Sequence, residues 1–182
     1  MSILSRLFSK KEASEATDDK TVVSYKDFAI TPPSPVLSNW VQDAGHHCYA
    51  IGKIGDIFSM QGFDAVTKGP DASLMADLKA HVANALDGSL TFANFVEFDS
   101  LFGHRRDVSG YAAALEWFDR EIGAVLSQLR PGDLMILTAD HGNDPTWIGT
   151  DHTREQVPVL VAGQGAGALG TIGFSDVAAL VA

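Results

Sequence analysis

"LMILTADHGNDPTWIGTDHTRE", Leu134 to Glu155, sets an apolar run directly before a loop that carries two Asp-His dipeptides among glycines and threonines. Leu134–Ala139 reads as a buried strand. Asp140-His141 stands at its carboxyl end, and Asp151-His152 follows in the same loop. In an open α/β sheet, ligands collect outside the carboxyl ends of the strands. The stretch therefore asks whether other strands deliver similar side chains to the same edge.

Working outward, short apolar runs alternate with amphipathic segments. Val36–Ala44 reads as a helix closed by Gly45, after the proline-rich connector "FAITPPSP". Cys48–Gly52 reads as a strand, Ala72–Ala85 as a helix followed by Gly88, and Leu90–Val96 as a strand. Ser109 reads as the N-cap of a long helix with Tyr111, Leu115, Phe118, Ile122, Val125 and Leu129 along one side. Pro131-Gly132 ends it, Val157–Ala162 reads as another strand, and a last helix starts at Asp176. This alternation predicts an α/β fold with a mainly parallel sheet flanked by helices.

The 182 residues suit one domain with a sizeable core. A formal net charge of −10 argues against a general nucleic-acid or anionic-membrane binder. No apolar run approaches the ~20 residues that span a bilayer. The single cysteine, Cys48, leaves no internal disulfide and fits a reducing cytoplasm. Residues 1–25 include the polar tract "SKKEASEATDDK" and read as a disordered or unrelated lead, with residues 26–182 as the domain.

Three strand ends carry the chemistry. Lys53 follows the first strand; Asp99, His104, Arg105 and Arg106 follow "LTFANFV"; Asp140, His141, Asp151 and His152 follow the third. An isolated Asp-His pair in a glycine-rich loop is ordinarily a capped turn. Two such pairs together with a D-x4-H at a matching strand end make metal ligation the better reading. Asp99, His104, Asp140, His141 and His152 form an oxygen and nitrogen set without thiolate, which suits Mn²⁺, Zn²⁺ or Fe²⁺. Five candidates exceed the needs of one tetrahedral ion and fit two neighbouring ions. Lys53 is either a surface side chain or, beside a metal site, faces a phosphate or a carboxylate ligand, and at most one of Arg105 and Arg106 is expected in the site. Trp147 is expected to pack the loop down, and His46, His47 and His81 to be structural or exposed.

"AIGKIGDIF", "FVEFDSLFGHRRDVSGYAAALEWFD" and "LTADHGNDPTWIGTDHTREQVPVLVAG" resemble the phosphopentomutases of the alkaline-phosphatase-like metalloenzyme superfamily. The resemblance runs from about Lys26 to Ala182. It implies interconversion of (deoxy)ribose 1-phosphate and (deoxy)ribose 5-phosphate with two Mn²⁺ ions, in the cytoplasm, and a sugar bisphosphate as activator. By the same resemblance Asp99, His104 and His152 ligate one manganese, Asp140 and His141 belong to the second, and Lys53 contacts the transferred phosphate. The family's phosphate-carrying threonine, its first-strand aspartate and its cap have no counterpart here. Thr138, Thr150 and Thr153 match other positions, so no catalytic nucleophile is assigned. The expectation is a C-terminal portion of the core whose activity needs the missing part, from another polypeptide such as a complementing N-terminal fragment or from a longer parent. The alternatives are a non-catalytic metal-binding remnant and a metal-dependent phosphohydrolase.

Overall fold

The structure, a computed structural model, describes residues 29–181. The expected lead at 1–25 lies outside the described residues. The order of elements is α1 (Leu37–Asp43), β1 (Cys48–Ile51), α2 (Ile54–Ile57), β2 (Ala65–Thr67), α3 (Asp71–Ala83), β3 (Leu90–Ala93), a π-helical turn (Phe98–Gly103), α4 (Val108–Leu126), β4 (Met135–Thr138), β5 (Val159–Ala162) and α5 (Phe174–Ala179).

β1 is the centre of a parallel sheet in the order β2-β1-β3. Its side chains are buried except for the half-buried Tyr49, as befits a strand covered on both faces. Ile51 packs with Leu74, Met75 and Leu78 of α3 and with Ile122 and Val125 of α4, and Phe95, Trp117, Phe118, Met135 and Leu137 close around this core. Removing water from such a cluster is the main stabilising term, about 1.5–3 kcal/mol for each fully buried large aliphatic side chain. On the outer side of the core, Lys79 of α3 forms an ion pair with Glu121 of α4. Leu115, expected on the buried stripe of α4, is half exposed, because a 3.6-residue repeat places it at the stripe's shoulder.

The parallel order holds for this sheet, whereas β4 and β5 form a separate antiparallel pair, Met135 opposite Ala162 and Thr138 opposite Val159. Residues 139–158 contain no helix, and a parallel return needs a crossover, so the chain comes back antiparallel. Other departures from the sequence reading are local. α4 is capped by Asp107, whose carboxylate accepts the Gly110 N–H at 2.9 Å and the Ser109 hydroxyl at 3.0 Å; Ser109 lies inside the helix. α5 starts two residues early, at Phe174. The three-residue β2 and four-residue α2 are too short to show a period.

Two contacts shape the carboxyl edge of the sheet. Gly52 has φ +82°, and a Cβ there would lie 2.4 Å from the Asn94 carbonyl oxygen, so only glycine lets the ends of β1 and β3 close up. The Lys53 N–H then donates to Asn94 Oδ1 at 2.7 Å. β3 stops at Ala93 instead of Val96 because a carboxylate takes over its peptide donors. Asp71, 2% exposed at the start of α3, accepts the Val96 N–H at 3.2 Å and the Glu97 N–H at 3.1 Å, while Glu97 accepts the Asp71 N–H at 3.3 Å. This clasp aims the chain into the π-helical turn.

Burial, against the opposing Glu97 N–H bond and with the help of the Glu97 charge, raises the Asp71 carboxyl to about 6. The native state thus holds this proton more tightly than the unfolded chain does. The stabilisation is complete below the ordinary carboxylate range and is lost as pH rises through about 6. Denaturant unfolding of the parent chain and of Asp71→Asn should therefore show the parent's relative stability falling between pH 4 and pH 7. A difference that stays flat over that window contradicts this account of Asp71.

Candidate metal centre

Asp99 lies in the π-helical turn after β3, and His104 caps the end of that turn. In an α-helix, residues five apart point about 140° away from each other. Here the His104 N–H donates to the Asp99 carbonyl at 2.9 Å, an i→i−5 bond whose wider turn returns the two side chains to one side. His104 Nε2 lies 3.2 Å from Asp99 Oδ2. The D-x4-H spacing here is bridged by a π-type turn.

His152 reaches the same place from the loop between β4 and β5. That loop is zipped at its base by a bridge between Gly142 and Thr153, with the Thr153 N–H donating to the Gly142 carbonyl at 3.0 Å. Its rim is tightened where the Asp144 N–H donates to Thr153 Oγ1 at 2.9 Å and Asp144 Oδ1 accepts the Thr146 N–H at 2.8 Å. His152 Nε2 lies 3.1 Å from Asp99 Oδ1 and 3.1 Å from His104 Nε2. The donor atoms of Asp99, His104 and His152 all fall within 4.8 Å of one another.

The electronic state of these groups favours a cation. His104 Nδ1 faces the Thr150 carbonyl, an acceptor only, so in the neutral ring Nδ1 carries the proton and Nε2 offers the lone pair. Burial, chiefly, with the neighbouring His141, holds His152 below the ordinary histidine range against the pull of Asp99. Two imidazole lone pairs and a carboxylate therefore converge. The Asn143 amide donates into this cluster, at 2.6 Å to Asp99 Oδ1. Ligands about 2.0–2.2 Å from a common ion stand about 3.0–3.5 Å apart in octahedral or tetrahedral arrangements. The three closest contacts fall in that range, those to Asp99 on its two different oxygens, and the residue types present fit a divalent transition metal.

The other candidates are placed differently. His141 stacks on His152 with ring centroids 3.8 Å apart, so it borders the group without joining it. Asp140 is 74% exposed and faces His141 Nε2 at 3.4 Å; it too stands outside the three-residue group. Lys53 lies at the same sheet edge, just past β1, with an exposed side chain. Cys48 is fully buried, and burial followed by the Asp64 charge pushes its thiol up to about 11, which removes it from ligation and nucleophilic chemistry. His47 pairs with Asp64, and His81 packs on Tyr49.

Trp147 does not pack the loop down; it is 62% exposed. Arg106 does so instead. Its guanidinium donates to the carbonyls of Gly103 (2.9 Å), Asp144 (2.8 Å) and Asp151 (2.7 Å), to that of Gly149, and to Asn143 Oδ1 (2.6 Å). Arg105 is exposed. Beside the group, His141, Asn143, Asp144, Tyr111 and Glu155 line an open cleft of about 460 Å³.

Metal binding should tie the π-helical turn to the β4–β5 loop and stabilise the fold by mass action, about 2.7 kcal/mol at a concentration 100 times Kd. We expect Zn²⁺ and Mn²⁺ to raise the Tm of the parent chain, Zn²⁺ at the lower concentration. His104→Ala and His152→Ala should lose that shift. An unchanged parent Tm at millimolar metal contradicts the assignment.

A family model described as the metalloenzyme superfamily matches residues 26–182. Over 162 residues the chain is 53% identical to a phosphopentomutase of Chelativorans sp. (strain BNC1), covering 86% of this chain and 39% of that protein. It is 55% identical over 142 residues to a phosphopentomutase of Rhizobium johnstonii, covering 77% of this chain and 35% of that one. It is 56% identical over 140 residues to a phosphopentomutase of Rhizobium meliloti (strain 1021), covering 76% and 34%. The chain thus spans between a third and two-fifths of the length of these relatives. Its family match takes in every ligand candidate and agrees with the α/β fold: the chain belongs to the metalloenzyme superfamily.

Proposed function

We propose that this chain supplies part of the metal centre of a phosphopentomutase-type phosphotransferase acting on (deoxy)ribose 1-phosphate and (deoxy)ribose 5-phosphate. The observation that carries the reading is the convergence of Asp99, His104 and His152 on one point, in a chain similar to proteins named phosphopentomutase. In this reading Asp99, His104 and His152 hold one Mn²⁺, and Asp140 and His141, beside them, give part of the shell of a second. When bound, the ions stabilise negative charge on transferring phosphate oxygens. Lys53, at the same edge, adds a positive point charge for the phosphate. The open cleft along His141 and Asn143 gives a sugar phosphate a place to lie, and a sugar bisphosphate would prime the reaction. The same reading carries a cytoplasmic location, and a net charge of −10 leaves nucleic acid an unsuitable partner.

In this reading the chain needs a further part to complete a mutase. A hydroxyl must hold the phosphoryl group while the sugar turns, and hydroxyls are weak nucleophiles unless a metal or base activates them. Thr153 Oγ1 donates to Glu155 at 2.6 Å and accepts from the Asp144 N–H, so it is committed to the loop. Thr138 Oγ1 turns to the Ala139 carbonyl at 3.4 Å. We therefore propose that the nucleophile and further carboxylate ligands come from a further segment, of a longer parent or of another polypeptide.

In a coupled ribose 1-phosphate assay with Mn²⁺ and a sugar bisphosphate, the purified chain should turn over several orders of magnitude more slowly than an intact relative, since such residues act as a unit. Adding the N-terminal remainder of the Rhizobium meliloti relative should raise the rate. Robust turnover by the chain alone, abolished in His152→Ala, overturns the incompleteness; phosphate-ester hydrolysis without isomerisation points to a phosphohydrolase instead.

Lys53→Ala should weaken ribose 5-phosphate binding to the metal-loaded chain by about tenfold, while Zn²⁺ affinity stays within about twofold of the parent. Equal sugar-phosphate affinity in calorimetric titration returns Lys53 to an ordinary surface side chain.

A further inference from the structure

We infer that Arg106 is a positioning residue for the metal-facing carboxylate of Asp99, acting through the buried amide of Asn143. The inference rests on reading Asp99, His104 and His152 as ligands. A guanidinium can only donate and an ionised carboxylate can only accept, so an amide placed between them has one permitted orientation. Asn143 adopts it: Oδ1 accepts from Arg106 Nη1 at 2.6 Å, and Nδ2 donates to Asp99 Oδ1 at 2.6 Å. Asn143 is 6% exposed, which raises the cost of leaving either end unpaired. Gly103 packs against that amide so closely that a Cβ would meet Nδ2 at 2.5 Å. The relay runs Arg106, Asn143, Asp99, and the last member faces both imidazoles.

Arg106 also fixes the second ligand-bearing segment. Its remaining bonds go to the carbonyls of Gly103, in the turn that carries Asp99 and His104, and of Asp144, Gly149 and Asp151, in the loop that carries His152. One side chain thus sets the spacing between the two segments that supply the ligands. Acceptors occupy Nε, Nη1 and Nη2, so no two-pronged face is left for a phosphate, and the arginine acts on the centre from behind. The backbone bears a strain for this placement, because Arg106 has φ 55°, in the left-handed region.

That strain supplies a clean test. Arg106→Gly deletes the guanidinium and relieves the backbone, so the fold loses the side-chain bonds but is freed of the strain. Zn²⁺ affinity, measured by competition with a chromophoric chelator, should fall about 10–100-fold in Arg106→Gly. Arg106→Lys should fall nearly as far, since an ammonium cannot span these acceptors. Asn143→Ala should lose a similar factor, and the Arg106→Gly, Asn143→Ala double variant should lose much less than the product of the two. The Co²⁺-loaded variants report orientation directly: their visible bands should differ from the parent's in position and intensity, whereas a merely structural role lowers Tm and leaves those bands unchanged. Arg106→Gly that binds within twofold of the parent with the parent's Co²⁺ spectrum overturns the inference. Should that variant not fold, Asn143→Ala judged by the same two readouts decides it. A parent chain that binds neither Zn²⁺ nor Co²⁺ overturns the metal-centre reading and the inference together; a parent that binds normally beside unaffected variants overturns the inference alone.

Discussion

The carboxylate of Asp99 is where the two parts of the chain meet. Behind it lie the parallel sheet and the helices that share its core; in front of it lies the loop between the antiparallel strands β4 and β5. One oxygen faces His104 from its own turn, and the other faces His152 and Asn143 from the loop. A carboxylate beside two imidazoles gathers acceptor atoms at one point, and burial, chiefly, lowers the proton affinity of His152. Such a cluster is stable when a cation or a set of donors answers it. The other contacts around the centre determine where this carboxylate sits.

Those contacts form two layers. From the sheet side, the clasp between Asp71 and the Val96 and Glu97 amides ends β3 and starts the π-helical turn. From the loop side, Arg106 gathers four carbonyls and the Asn143 amide. An irregular loop has no ladder to satisfy its carbonyls, and a single guanidinium with five N–H donors serves that purpose well. The loop is held by polar bonds, which explains how Trp147 and Ile148 can stay exposed at 62% and 92% without the loop losing its form.

Much of the fold was legible because the pattern repeats over enough residues. α3 and α4 run through several turns, and β1 is an uninterrupted apolar run, so period and burial agree. β2 offers three residues and shows no period, and the pairing of β4 with β5 is decided by the lack of a helix between them, a signal present in the sequence but passed over. For the site, Asp99, His104 and His152 could be named from strand ends and residue types. That Asp140 is largely exposed and stands outside their group is a matter of side-chain direction, which strand position does not determine. Asn143 and the structural role of Arg106 were missed because both are defined by bonds spanning 37 to 45 residues. The one cue was that "GHRRD" places an arginine two residues after a candidate ligand.

X-ray absorption at the zinc edge on the Zn²⁺-loaded chain tests the central claim most directly. The account predicts a shell of nitrogen and oxygen only, at about 2.0–2.1 Å, with the outer-shell scattering of two imidazoles. A sulfur shell, or an oxygen-only shell without imidazole scattering, would contradict it.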